Sequence, residues 1–339
     1  MKRMFDRTRT SRAILRWLIL FLIVSCAPQP SGMAQPIGRR VGPQFPFLAS
    51  GARAASLGDA TIAIIDNYSG LGTNPATLGM MKKSLLDYTT QRVQKGVTFE
   101  HLGAVYKVTT ADALALTFDL LHFGGTDFYD NRAVRKLGYE MRSSLAYSRL
   151  LSDEFAIGVN VQALNATTGP NTVWAVLGDF GVVYTPGQYI RYGLSIKNIG
   201  TQYKVAAQIL PTEDYTSRVS KVVGVGLALD FPFADASQRF LISSQLEKVL
   251  AEENSIYKIG IEYAPFWTPR ETAFHAALRV GLLVRSEESQ PRLGMGLGFK
   301  RFAADYAYSY APRYHQPSHM FTITYSFGRS DERLPQPEF

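Results

Sequence analysis

Cysteine is almost absent. Cys26 is the only one in 339 residues, so no disulfide can form within the chain and the fold must hold without one. Long apolar runs are lacking as well. The run from Trp17 to Val24 falls far short of the roughly 20 residues that a membrane-spanning helix needs, which excludes a helical membrane protein. Charge of one sign is scarce where it would matter. Of the formal +8, much sits on Lys2, Arg3, Arg7, Arg9, Arg12 and Arg16, opposed only by Asp6. The chain from residue 35 onward keeps about +3, scattered and unclustered, which argues against a nucleic-acid partner.

Recognisable catalytic spacing is missing too. His101, His122, His275, His315 and His319 stand in no nucleophile motif, and no Cys/His spacing suits a metal. "GVGLAL" and "GMGLGF" carry glycines, but no helix follows them as a phosphate loop requires. No enzyme, metal or cofactor is expected.

What is present begins at the N-terminus. A basic start, a short apolar run and then small residues have the layout of a secretory signal over residues 1–34. Two cleavage sites compete: "Gly32-Met33-Ala34" before Gln35, and "Ile23-Val24-Ser25-Cys26", which would acylate Cys26.

From about Leu85 the sequence alternates apolar and polar residues with period two, interrupted by turn chemistry every ten or so residues. In "FHAALRVGLLVR", Phe274, Ala276, Leu278, Val280, Leu282 and Val284 form one face, and His275, Ala277, Arg279, Gly281, Leu283 and Arg285 the other. "IYKIGIEY", "RLGMGLGFK", "FAADYAYSYA" and "MFTITYSF" divide the same way. A soluble sandwich also alternates. Here the polar faces hold small or ionisable residues while aromatics gather near strand ends, which predicts a lipid-facing exterior with aromatic girdles.

About 14 strands are expected, the even number usual for bacterial barrels. They fall near 84–93, 97–107, 112–123, 142–151, 154–165, 173–185, 189–199, 220–231, 239–248, 255–264, 273–285, 292–300, 301–311 and 319–328. The fold class is an all-β transmembrane outer-membrane barrel. "LLSDE", "YTPGQ" and "FKRF" read as tight turns. "HFGGTDFYDNRAVRKLG", "GTQYKVAAQILPTEDYTSRVS" and "VRSEESQPR" read as longer connections at the opposite end.

Residues 35–82 precede the barrel, 83–328 form it, and a polar, proline-rich tail, 329–339, follows. Within the first of these, "GARAASLGDATIAIIDNYSGLGTNPATLG" is compact and rich in small residues, and is expected to fold back as a lumen plug. Asn74 before Pro75 suits a fixed bend in which its side chain bonds its own backbone. Asp119, Asp179, Arg191, Lys197, Asp230, Glu247, Lys258, Glu262, Arg279, Arg285 and Asp305 are expected to face inward. They should pair with one another and with Arg53, Asp59 or Asp66. Val183, Leu241 and Leu283 would be the apolar contributions to a substrate pocket, or would pack on the plug.

The stretch from Gly51 resembles the N-terminal signature of the PorV/PorQ family, related to the FadL-type long-chain fatty acid channels. The matching positions are Ala52, Arg53, Ala54, Leu57, Gly58, Ala60, Asp66, Asn74, Pro75, Ala76 and Leu78. "GDFGVVYTP", "YGLSIKNIG" and "FAADYAYSY…HMFTITYSFG" resemble later strands of that family. Gly72 and Thr73 replace the usual aromatic before Asn-Pro-Ala, and Asn67 replaces a second Asp.

Phe321, Ile323, Tyr325 and Phe327 resemble the terminal signal read by the outer-membrane assembly machinery. The resemblance implies residence in outer-membrane lipid and a part in type IX secretion, with exported cargo proteins and other secretion components as partners. Tyr, aliphatic and charged residues in Phe128–Lys136 and Gln202–Arg218 suit such contacts. The FadL relationship implies instead a channel for hydrophobic small molecules.

Overall fold

The computed structural model describes residues 48–65, 71–94, 97–123, 138–168, 171–205, 215–232, 238–250, 255–265, 274–285, 288–311 and 316–328. The signal sequence, Ala34, Cys26, Asp66, the Phe128–Lys136 loop and the tail after 328 lie outside these residues.

Among the described residues sixteen strands follow one another: β1 (Ser84–Gln94), β2 (Val97–Lys107), β3 (Asp112–Phe123), β4 (Gly138–Ser152), β5 (Phe155–Thr168), β6 (Asn171–Tyr184), β7 (Ile190–Gly200), β8 (Gln202–Val205), β9 (Tyr215–Arg218), β10 (Val222–Pro232), β11 (Arg239–Val249), β12 (Ser255–Ala264), β13 (Phe274–Arg285), β14 (Glu288–Phe299), β15 (Phe302–Ala311) and β16 (Gln316–Phe327). All but β8 and β9 close into one antiparallel barrel in which each strand pairs with its neighbours in sequence and β1 pairs with β16. The barrel therefore has the fourteen strands expected. Closure removes every open edge, which is what lets a sheet exist in hydrocarbon.

The faces also fall as the period-two pattern requires. Leu278 is 59% exposed and Arg279 beside it only 6%, while Phe321 and Ile323 are exposed and Thr322 is buried. Aromatic pairs ring the end where β1 begins and β16 stops: Tyr184 stacks on Tyr192, Tyr189 on Phe231, and Phe302 meets Tyr325 with centroids 5.0 Å apart. We call this the near end, and the opposite one the far end.

Three expectations need correction. "VRSEESQPR" is not a long loop: β13 and β14 pair continuously to Arg285↔Glu288, because alternating residues can extend a hairpin whatever their charge. The connection after β3 is shorter than supposed, since β4 starts at Gly138 and pairs with Phe123. Within Gln202–Arg218 the ends are not loop but a small two-stranded sheet, Gln202↔Arg218 to Val205↔Tyr215. The sequence there alternates too weakly to show it.

Ahead of β1 lies a short helix, α1 (Ala52–Ser56), which Leu57 ends. Gly58 and Asp59 follow in the left-handed region, at φ 66° and 61°, and turn the chain sharply. A single 3-10 turn, Pro75–Met80, comes next. Its cap is as the sequence suggested: Asn74 is extended and its Oδ1 accepts from the Ala76 N–H, with Pro75 at the first position where a missing N–H costs nothing.

Candidate functional site

The closed barrel encloses an interior, and inward side chains form layers along it. At the far end Phe99, Leu121, Leu164, Leu177 and Met320 make an apolar cluster with Ala52 and Ala55 of α1. A polar belt slants through the interior, from Asp230 and Arg239 toward the near end to Glu247 and Lys197 toward the far end. Toward the near end Leu85, Val105, Ala113 and Ala115 cluster with Leu71, Leu78 and Met81.

The belt consists of ion pairs that join adjacent strands or reach across one, as Lys197–Glu247 and Arg279–Asp305 do. Glu247 accepts from Lys197 Nζ at 3.0 Å and Lys258 Nζ at 2.8 Å. Asp230 takes Arg191 and Arg239. Glu262 binds Arg279 at 2.6 Å, and Arg279 reaches on to Asp305 at 2.6 Å. Asp119 holds Arg142 at 2.6 Å and His101, whose other nitrogen lies 3.3 Å from Asp87. Asp179 differs: its partners are Asn160, Gln162 and the backbone N–H of Asn198. Strand β7 bulges opposite Gly178 and Phe180, with Asn198 at φ 61°, so Lys197 and Asn198 both turn inward.

The segment before β1 is bound to this interior by side chains on distant strands. Arg53 makes a two-pronged pair with Glu262, at 2.8 and 2.9 Å. Asp59 binds Arg292 at 2.6 Å, the Ala52 N–H donates to Thr322, and the Ile62 N–H donates to Gln245. Asn74 Nδ2 bridges the carbonyls of Ile62 and Val182. Glycines on the strands allow the approach. A Cβ on Gly158 would stand 2.4 Å from Ala76 N, and one on Gly281 would stand 2.2 Å from Gly58 N.

Of the sequence-derived residues, Arg53 and Asp59 are thus brought onto the inward charges, and Gly58, Pro75 and Ala76 onto strand glycines. Ala52 and Ala54 are buried in the same segment. Arg285 is half-buried at the far end of β13. Val183 and Leu241 do not open onto a pocket: Val183 packs with Ala76 and Met80, and Leu241 with Leu57 and Ile62. Leu283 packs beside Val222, Val249 and Ile256.

Sequence reasoning missed Arg142, Arg239 and Arg292 as belt members, and missed His101 as one. Between the segment and β2 to β7 a polar cavity of about 30 Å³ remains, lined by His101, Arg142, Ser144, Asn160, Asp179 and Lys197 among others. That is room for roughly two waters and too little for a hydrocarbon.

Solved structures of similar shape exist. The toluene transporter TbuX of Ralstonia pickettii superposes with a TM-score of 0.54 at 15% identity, covering 82% of this chain and 98% of that one. A FadL homologue from Pseudomonas aeruginosa gives 0.54 at 10% identity, covering 83% and 99%. These are FadL-type outer-membrane barrels, and the fold is theirs. The Pseudomonas putida toluene transporter TodX agrees, at 0.51 and 11% identity over 82% of this chain and 98% of its own. No protein-family model and no curated protein matches the chain.

The belt can be tested directly. Glu262→Gln removes the charge that Arg53 and Arg279 share in a place where all three are buried. Breaking one partner out of such a cluster costs about 3–5 kcal/mol. The variant should melt well below the parent in mild detergent, and an unchanged midpoint would mean water screens the cluster.

Proposed function

We propose that this chain is an outer-membrane channel for hydrophobic small molecules. It acts as a passage and not as a catalyst, with residues 48–65 and 71–83 forming its lumen plug. The observation that carries the reading is the closed fourteen-strand barrel, similar over most of its length to TbuX, TodX and a FadL homologue. The layered interior supports it. Phe99, Leu121, Leu164, Leu177 and Met320 at the far end are buried against α1 and would become an apolar wall for a solute once that helix moves. The near end, where both barrel termini lie, faces the periplasm in this reading.

The charged belt and the segment bound to it do not suit an apolar solute on a straight route along the barrel axis, and the cavity beside His101 and Asp179 is too small for one. Transport then requires the segment or the wall to move. The secretion role implied by the PorV/PorQ resemblance gains no support here. No family model matches, and one of the two loops invoked for it lies outside the described residues.

Uptake decides the matter. Cells whose only FadL-type barrel is this chain should accumulate radiolabelled toluene or long-chain fatty acid faster than cells lacking it. Equal rates for every apolar solute tried, together with loss of secreted proteins in a deletion strain, would replace the channel by the secretion role.

A further inference from the structure

We propose that Asp305 on β15, which makes no hydrogen bond to the N-terminal segment among the described residues, holds that segment in place by acting through Arg279. Asp305 is then a positioning residue for the gate of the channel, and the inference rests on residues 48–65 and 71–83 being its plug.

The contacts form one run along the belt. Asp230 binds Arg191 and Arg239, and Arg239 Nη1 comes within 3.8 Å of Glu262 Oε1. Glu262 Oε2 accepts from both Arg53 Nε at 2.8 Å and Arg279 Nε at 2.6 Å, while its Oε1 accepts from Arg53 Nη2 at 2.9 Å. Arg279 Nη1 then donates to Asp305 Oδ1 at 2.6 Å, over the top of β14. Gly296 on β14 leaves room for that crossing. A Cβ there would stand 2.3 Å from Asp305 Oδ1 and 2.7 Å from Arg279 Nη2.

Among the described residues this run holds four arginines, Arg53, Arg191, Arg239 and Arg279, against three carboxylates, Asp230, Glu262 and Asp305. It has no negative charge to spare. Glu262 is where the arginines compete, since Arg53 of the segment and Arg279 of the wall share one of its oxygens. Asp305 settles the competition by drawing the outer end of the Arg279 guanidinium away, which leaves Glu262 free to make its two-pronged pair with Arg53. Without that charge, Arg279 turns wholly to Glu262, and one carboxylate does not compensate two buried guanidiniums. The side chains of Arg53, Glu262, Arg279 and Asp305 are each 12% exposed or less, so water does little to screen the imbalance. Arg279 belongs to a strand paired on both sides, whereas Arg53 sits on a helix of five residues held by side chains. Arg53 is therefore the one to leave, and the segment goes with it.

The test reads docking and conduction separately. Ser56, fully buried and set against Gly294, serves as reporter in the form Ser56→Cys on a Cys26→Ser background. Folded protein in mild detergent is treated with N-ethylmaleimide. Asp305→Asn should be alkylated about tenfold faster than the parent or more, because breaking a buried ion cluster costs well above the 1.4 kcal/mol that tenfold represents. Adding Arg279→Leu removes the competitor and should bring the rate back to within about twofold of the parent. Asp119→Asn takes a carboxylate from Arg142 and His101 instead, and as the control for general loosening it should not speed alkylation. Heat-modifiable gel mobility confirms that each variant is folded. Parent-like alkylation of Asp305→Asn would overturn the proposal. So would a rise that Arg279→Leu fails to suppress, or one that Asp119→Asn matches. Conductance of the same variants in planar bilayers bears on the plug itself: fast, Arg279-suppressible alkylation with parent-like conductance upholds the role of Asp305 and removes the plug.

Discussion

Gly281→Val should unseat the N-terminal segment and raise the conductance of the barrel. Gly281 sits mid-strand in β13 facing the lumen, and even a Cβ there would lie 2.2 Å from Gly58 N, 2.5 Å from Leu57 C and 2.6 Å from Ser56 O. All three are backbone atoms, so no rotamer change relieves the clash. Something must move by more than an ångström. The strand is fixed on both sides, by eight paired residues to β12 and by a full ladder to β14. The segment is held by side-chain contacts that can be lost one at a time, so it yields first. Single-channel recordings in planar bilayers should show conductance severalfold above the parent. The control is Gly187→Val, where nothing lies within 4 Å and conductance should not change. Parent-like conductance in folded Gly281→Val would mean that the segment does not close the lumen.

Leu278→Arg should fail to assemble. Leu278 faces outward near the middle of β13, and a cation at that depth in the bilayer costs roughly 2–4 kcal/mol. Arg279→Leu, one residue on, changes the lumen instead. It deprives Asp305 of the cation that binds it at 2.6 Å, but Glu262 keeps Arg53. That variant should assemble and melt lower. Heat-modifiable gel mobility separates the two: the first should run as unfolded after insertion, the second as folded. Similar behaviour of both would contradict the division of faces.

That division was legible because a strand's period is fixed at two and the bilayer rewards one face only. Ile259 and Ile261 out, Lys258 and Glu262 in, can be read directly from "IYKIGIEY". The capped bend at Asn74 was legible for a similarly local reason. What could not be read depends on register between remote strands. Arg239 stands at the first position of its strand, and Arg292 lies in a stretch whose charge suggested a loop. Asp59, the partner of Arg292, lies 233 positions away and is met only in the folded barrel, whereas Asp230 meets Arg239 across a single hairpin whose register the sequence did not show. The bulge in β7 breaks the period itself, so alternation could not place both Lys197 and Asn198 inside. The strand glycines were visible but looked like weak points of a sheet. Their meaning came from the backbone that rests on them.

The pairing of β1 with β16 has a consequence in time. Arg53 waits on Glu262, 209 positions later, and the Ala52 N–H waits on Thr322, 270 positions later. Closure itself needs Ser84 to meet Phe327. The first part of the chain to be synthesised is therefore among the last to find its place. Until β16 arrives the segment has no enclosed surface to rest on, and long-range contacts of this kind are slow to form. A cell must keep the unfinished chain soluble through that interval, and a truncation that spares every lumen contact but removes Phe327 would still prolong it.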